Sequence, residues 1–279
     1  MMIWLGDREV GSIVPADEAL VSVLDHGFTV ADGVFETLKV AHGRPFALTR
    51  HLERLARSAA ALGLQAPDEG VVRDAVGEVI FANAPVIGGL GRLRITYTAG
   101  EAPLGSDRGQ ALPTLVVAMA KSAAWPEATT CSTVPWVRNE RSPIAGVKST
   151  SYAENVVALR YAHDRGASEA VLANTRDELC EGTGTNVFVV IDGRVLTPPL
   201  SSGCLAGITR GLVIEWFGAV EESLPYEALQ RADEVFLASS TRDVHPVIRV
   251  DERTWAEPGL VSGRLREEFI ARSAVNIDP

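Results

Sequence analysis

The chain has 279 residues, of which 46% are hydrophobic and 22% charged, enough apolar material for one large domain or two smaller ones. A formal net charge of -10 argues against a nucleic-acid or anionic-membrane partner, because nothing offsets phosphate repulsion; a small anion can still bind in a local nest of cations or amides. Cys131, Cys180 and Cys204 are far apart and form no CxxC pair, so neither a metal site nor a disulfide framework is expected, and a reducing cytoplasm is the natural compartment.

In chain order, Met1–Arg8 lacks the basic and apolar runs of a signal peptide, and no apolar run is long enough to span a membrane. Residues 2–14 predict a hairpin turning at Gly6-Asp7. Gly33 opens a strand that ends at the His42-Gly43 turn. Along it Phe35, Thr37 and Lys39 share one face, and Glu36 and Leu38 the other. Thr49 is expected to cap a helix with Leu48, Leu52, Leu55, Ala59 and Leu62 inward, carrying His51, Arg54 and Arg57. A second amphipathic helix follows Pro67-Asp68, then strands at 91–98 and 112–120, with a polar loop at 99–111 between them. Arg92 and Arg94 alternate with apolar residues in the first of these strands.

Lys121–Glu127 reads as a linker, giving a small domain over 1–120, a linker over 121–127 and a larger domain over 128–279. The larger part predicts a strand at 130–137, a loop delivering Lys148, a helix from about 152 to 165, and strands at 169–174, 186–191 and 194–197. Helices at 208–217, around 224–230 and at 260–273 flank strands at 234–241 and 244–250. Strands cluster without regular βαβ alternation, so the class is α+β in two domains.

Two stretches carry chemistry. Lys148 stands between a flexible loop and a helix, and Glu181 opens Glu181-Gly-Thr-Gly-Thr-Asn186. An amine that forms a Schiff base and a carboxylate that faces a ring nitrogen are the minimal equipment of a pyridoxal-phosphate site. A phosphate would need helix-start amides, hydroxyls and an arginine, which Gly207-Ile-Thr-Arg210, Ser239-Ser-Thr241 and Arg54 offer.

Taken together and in order, these segments resemble the class IV aminotransferases, the fold-type IV pyridoxal-phosphate enzymes. The motifs are Ala31-Asp-Gly-Val-Phe-Glu36, His51-Leu-Glu-Arg-Leu55, Lys148, Glu181–Asn186, Leu205-Ala-Gly-Ile-Thr-Arg210 and Ser239–Val247. The resemblance implies a small N-terminal α/β domain and a larger barrel-like C-terminal domain. It also implies a homodimer, with the site between the domains closed by a loop of the partner, and a small amino substrate. Lys148 would hold pyridoxal 5'-phosphate and move the proton; Glu181 would pair with the pyridine nitrogen. Arg54, the backbone of Ile208 and Thr209, and the Ser240 hydroxyl would hold the phosphate, with Tyr152 near the ring oxygen.

Residues across the pocket differ among family members. The Arg-x-His carboxylate trap of some D-amino-acid enzymes is absent, since residues 103–106 read Pro-Leu-Gly-Ser. Thr37 and Val30 replace the glycine and tyrosine of branched-chain members. Thr37, Lys39 and Arg94 look like the 4-amino-4-deoxychorismate lyases, which implies loss of pyruvate to give p-aminobenzoate. Thr37 would then assist proton transfer, with Phe35, Lys39 and Arg94 meeting the substrate. The alternative is an aminotransferase for D-amino acids or (R)-amines with a 2-oxo acid acceptor.

Overall fold

The computed structural model describes residues 1–279, which fold as two compact units. The first comprises Met1–Ala124, Val147–Ser151 and Ile277–Pro279; the second comprises Trp125–Gly146 and Tyr152–Asn276. The segment carrying Lys148, which the sequence assigns to the larger domain, therefore belongs by its contacts to the first unit.

That unit contains β1 (Met2–Gly6), β2 (Gly11–Pro15), a short α1 (His26–Thr29), β3 (Gly33–Ala41) and β4 (Arg44–Pro45). They are followed by α2 (Leu48–Ala61), α3 (Glu69–Ile87), β5 (Leu90–Thr98) and β6 (Thr114–Lys121). The strands form one antiparallel sheet in the order β2-β1-β6-β5-β3-β4. Val34, Leu38 and Val40 of β3, Leu93, Ile95 and Tyr97 of β5, and Leu115, Val117 and Met119 of β6 point to one face. There they form a core with Leu52 and Leu55 of α2 and Val72, Val76 and Val79 of α3. The period of two thus fixes which residues remain on the other face: Phe35, Thr37 and Lys39 on β3, and Arg92, Arg94 and Thr96 on β5.

The helix starts show where local signals succeed and fail. Asp68 caps α3, its carboxylate accepting from the Val71 amide at 3.0 Å. Thr49 does not cap α2. The cap position is Ala47, two residues earlier, at φ +55°, and the Thr49 amide and hydroxyl both donate to Asp278 near the C-terminus. A partner 229 residues away outcompetes the local cap. The polar loop at 99–111 is likewise pinned: Arg108 donates through Nε and Nη2 to Asp32, both at 2.6 Å.

The second unit contains β7 (Thr129–Arg138), α4 (Ala153–His163), β8 (Glu169–Asn174), β9 (Leu179–Gly182), β10 (Asn186–Ile191) and β11 (Arg194–Thr197). Next come α5 (Ile208–Phe217), β12 (Val220–Glu221), α6 (Ala228–Arg231), β13 (Glu234–Ser239), β14 (Asp243–Val250), β15 (Arg253–Thr254) and α7 (Leu260–Val275). Its nine-stranded sheet runs β12-β11-β10-β13-β14-β7-β8-β9, with β15 on β14. Helix α4 is the crossover between the parallel strands β7 and β8. Val187, Val189, Val235, Leu237 and Val247 fill one face, while Phe188 and Phe236 stack on the other at 4.7 Å. Strand β9 lacks a sequence signal because it is four residues long and half of it is Glu181-Gly182. No helix is long and apolar enough to cross a membrane.

His245 in β14 is fully buried. Its Nε2 faces the Pro126 carbonyl at 2.9 Å, so Nε2 carries the proton and Nδ1 accepts from Arg242 at 3.3 Å. Burial, and then the Arg242 charge, push its pKa from 6.5 down to about 4. The unfolded chain binds this proton near pH 6.5 and the folded chain only near 4. The neutral ring's contribution is therefore complete above 6.5 and is lost as pH falls toward 4, a loss of up to roughly 3 kcal/mol. Denaturation midpoints measured across this window should fall with pH, and His245→Gln should flatten the slope. An unchanged slope in that variant would contradict the assignment.

Candidate active site

In the first unit, the segment after the 139–146 loop pairs with the start of β3. The Phe35 amide donates to the Lys148 carbonyl at 3.0 Å and the Thr150 amide to the Gly33 carbonyl at 2.8 Å. The Thr150 hydroxyl adds a bond to the Ala31 carbonyl at 2.8 Å, and Ser149 bridges Val34. Alternation along this short edge places Lys148 on the Phe35 side. Its Nζ lies 4.4 Å from the Phe35 ring centroid, and the Arg94 guanidinium carbon lies 3.8 Å from the same centroid. Two cations thus share one buried ring, each attraction worth about 0.5–2 kcal/mol. Thr37 stands opposite Arg94 in the ladder. Lys39 lies on the same face, its Nζ 5.3 Å from the Phe46 ring centroid.

Arg54 is 5% exposed on α2 and grips Glu36, which is fully buried at the centre of β3. Nε donates to Oε1 and Nη2 to Oε2, both at 2.7 Å, and His51 Nδ1 lies 2.6 Å from Oε2. Desolvation acts to raise the Glu36 pKa, but the charges and hydrogen bonds of Arg54 and His51 outweigh it and hold the carboxyl far below the usual range. Desolvation is also the largest influence on His51, whose pKa is lowered, with the Arg54 and Lys148 charges adding to it. The sequence places Glu36 on the Leu38 face but gives no sign of this triad. Only the three-residue spacing of His51 and Arg54 hints that both point the same way.

In the second unit, Glu181 lies on β9 with both oxygens engaged. The Leu205 amide donates to Oε2 at 2.9 Å, and Arg138 Nε is 3.2 Å from Oε1. Arg138, at the end of β7, also donates through Nη2 to Asn155 at 2.9 Å. Asn155 and the Tyr152 hydroxyl both donate to the Thr183 carbonyl, the tyrosine at 2.7 Å. Burial raises the Tyr152 pKa and keeps the phenol protonated. Arg138 and Asn155 are missing from the sequence reading, because their roles arise only when β7, α4 and β9 come together.

Helix α5 starts at Ile208, after Gly207, with no side-chain cap. Its first carbonyl acceptor, that of Gly207, serves Gly211, so the amides of Ile208 and Thr209 precede the internal ladder, the kind of helix start that can receive an anion. A Cβ on Gly207 would lie 2.0 Å from Asn186 Oδ1, so only glycine permits this approach. The Thr185 hydroxyl, buried in the loop after Glu181, has no hydrogen-bond partner. Ser240 lies in the β13–β14 turn, where the neighbouring Ser239 hydroxyl accepts from the Arg242 amide at 3.3 Å.

Comparison with known proteins adds the family. A family model described as amino-transferase class IV matches residues 33–250. A putative branched-chain-amino-acid aminotransferase of Methanocaldococcus jannaschii is 32% identical over 273 residues, covering 93% of each chain. A D-alanine aminotransferase of Staphylococcus haemolyticus is 31% identical over 284 residues, covering 93% of this chain and 94% of that one. Among solved structures, a fold IV transaminase from Curtobacterium pusillum superposes with a TM-score of 0.88 at 28% identity, covering 98% of both chains. The lysine-bearing edge and the Glu181 and α5 elements thus occur in a chain whose sequence and fold agree with one family along nearly their whole length. This protein belongs to the class IV aminotransferases, fold-type IV enzymes whose cofactor is pyridoxal 5'-phosphate.

Proposed function

We propose that the protein is an aminotransferase for D-amino acids, using a 2-oxo acid as acceptor. The observation that carries this reading is Arg94 sharing the Phe35 ring with Lys148. It sets a forked cation, suited to a carboxylate, beside the amine that would exchange protons with the substrate carbon. The D-alanine aminotransferase relative favours transamination of D-amino acids. Elimination of pyruvate, read from Thr37, has less support, because the similar proteins are named as aminotransferases.

The residues present fit the cofactor. When bound, pyridoxal phosphate supplies an electron sink that makes the substrate's Cα–H acidic. Lys148 would be the attachment point, its Nζ positioned to carry the substrate proton. Glu181, oriented by Arg138 and the Leu205 amide, would face the pyridine nitrogen. In the second unit the Ile208 and Thr209 amides and the Ser240 hydroxyl would supply phosphate donors, with the Tyr152 phenol and the unpartnered Thr185 hydroxyl as further polar groups; in the first unit Arg54 would supply another donor. Phe35 forms an apolar wall, Arg94 takes the substrate carboxylate, and Thr37 and Lys39 border the same sheet face. A reducing cytoplasm suits the three free, buried cysteines.

We also propose a homodimer. Leu20, Val23 and Phe28 are exposed on the segment before β3, and Leu104 and Leu112 on the neighbouring loop. The two stretches are tied by the bond between His26 Nε2 and the Pro103 carbonyl at 2.8 Å. An apolar patch of this kind is suited to a second copy. Sedimentation should give a dimer, and Phe28→Glu should weaken it; a monomeric wild-type protein would refute this.

D-Alanine should convert the holoenzyme's cofactor to its amine form and release pyruvate. Arg94→Ala should raise the KM for D-alanine by about tenfold or more, the loss of a charge-assisted hydrogen bond. Faster reaction with L-leucine than with D-alanine would overturn the stereochemical reading, and p-aminobenzoate formed from aminodeoxychorismate would restore the lyase. Gly207→Ala should cost about 1–3 kcal/mol in cofactor binding by overpacking against Asn186, read from titration of the apoprotein. Unchanged affinity would remove the start of α5 from the site.

A further inference from the structure

Glu36 is a carboxylate where the sheet pattern calls for a hydrocarbon. Its neighbours on the same face of β3, Val34 and Leu38, are fully buried, and its ladder partner on β5 is the core residue Ile95. A lone carboxylate there would be severely destabilising. It is tolerated because α2 brings His51 and Arg54 to it from positions three residues apart, giving it three contacts of 2.6–2.7 Å. A buried ion pair of this kind is, at best, about as stabilising as well-packed apolar side chains, so stability does not account for it.

The geometry supplies another reason. Arg54 meets Glu36 side-on, through Nε and Nη2, so the carboxylate fixes both the plane of the guanidinium and its rotation about that plane. The Nη1 side of the fork is thereby turned away from Glu36 in a set direction. His51 holds the carboxylate in turn: Glu36 only accepts, so Nδ1 carries the hydrogen and the imidazole acts as a fixed strut. A long, flexible side chain thus becomes a rigid donor. The two groups that stiffen it lie on the core side of β3 and α2.

We infer that Glu36, braced by His51, is a positioning residue that aims Arg54 at the cofactor's phosphate, so that phosphate affinity depends on a carboxylate that never touches it. This rests on the assignment of Arg54 to the phosphate made above. The test compares pyridoxal phosphate with pyridoxal, which lacks the phosphate, as ligands of the full-length apoprotein. Glu36→Gln keeps the shape and removes the charge; Arg54→Lys keeps the charge and removes the fork. Both variants should lower affinity for pyridoxal phosphate by about tenfold or more while leaving pyridoxal affinity nearly unchanged, the scale of a misaligned charge-assisted hydrogen bond. A merely structural role for Glu36 would weaken both ligands together.

If the affinity ratio falls for Arg54→Lys but not for Glu36→Gln, the positioning role is wrong and the phosphate assignment stands. If it falls for neither, the phosphate assignment itself is wrong. Circular dichroism establishes that each variant is folded. Should Glu36→Gln fail to fold, His51→Asn, which leaves the ion pair in place, should lower the same ratio by a smaller factor; an unchanged ratio would overturn the inference.

Discussion

Two backbone hydrogen bonds, from Phe35 to the Lys148 carbonyl and from Thr150 to the Gly33 carbonyl, set the geometry of the Lys148 amine. They turn a stretch that the sequence reads as loop into a strand-like edge of the first unit's sheet. Because side chains alternate along such an edge, the pairing register alone decides which face the lysine occupies. Shifted by one residue, Ser149 would face the Phe35 ring and Lys148 the core. The hydroxyl of Thr150 bonds both Ala31 and Gly33 carbonyls, reinforcing that register.

The same alternation divides the charges of β3. On one side, Phe35 offers its ring to two cations; on the other, Glu36 is clasped by Arg54 and His51. An aromatic ring attracts a cation without neutralising it, so the Phe35 contacts leave the charges of Lys148 and Arg94 in place. A carboxylate fixes a cation's direction, as Glu36 does for Arg54. In the second unit Glu181 is oriented similarly, between Arg138 and the Leu205 amide.

Much of this was legible from the residues. Strand and helix periods identified β3, β5, α2, α3 and α7, and the motif order around Lys148, Glu181 and Gly207 pointed to the family. What was not legible depends on long-range pairing. Thr49 looks like a cap until Asp278 arrives from the C-terminus. Glu36 looks like a misplaced charge until α2 packs, and Arg138 looks like a strand-end arginine until β9 forms beside it. Lys39 has the face expected of a substrate residue, and its ammonium also stands 5.3 Å from the Phe46 ring centroid, a contact that alternation does not specify. The lyase expectation rested on Thr37 and its basic neighbours, and the structure places these residues on one face without selecting elimination.

The central claim is that Lys148 is the cofactor's covalent anchor. The sequence contains three lysines, Lys39, Lys121 and Lys148, so reductive trapping gives a clear answer. The protein would be loaded with pyridoxal phosphate, reduced with borohydride, digested and mapped by mass spectrometry. The account predicts a single phosphopyridoxyl group on the peptide containing Lys148. A stable adduct on Lys39 or Lys121 instead, or no adduct in a protein that retains the cofactor, would contradict it.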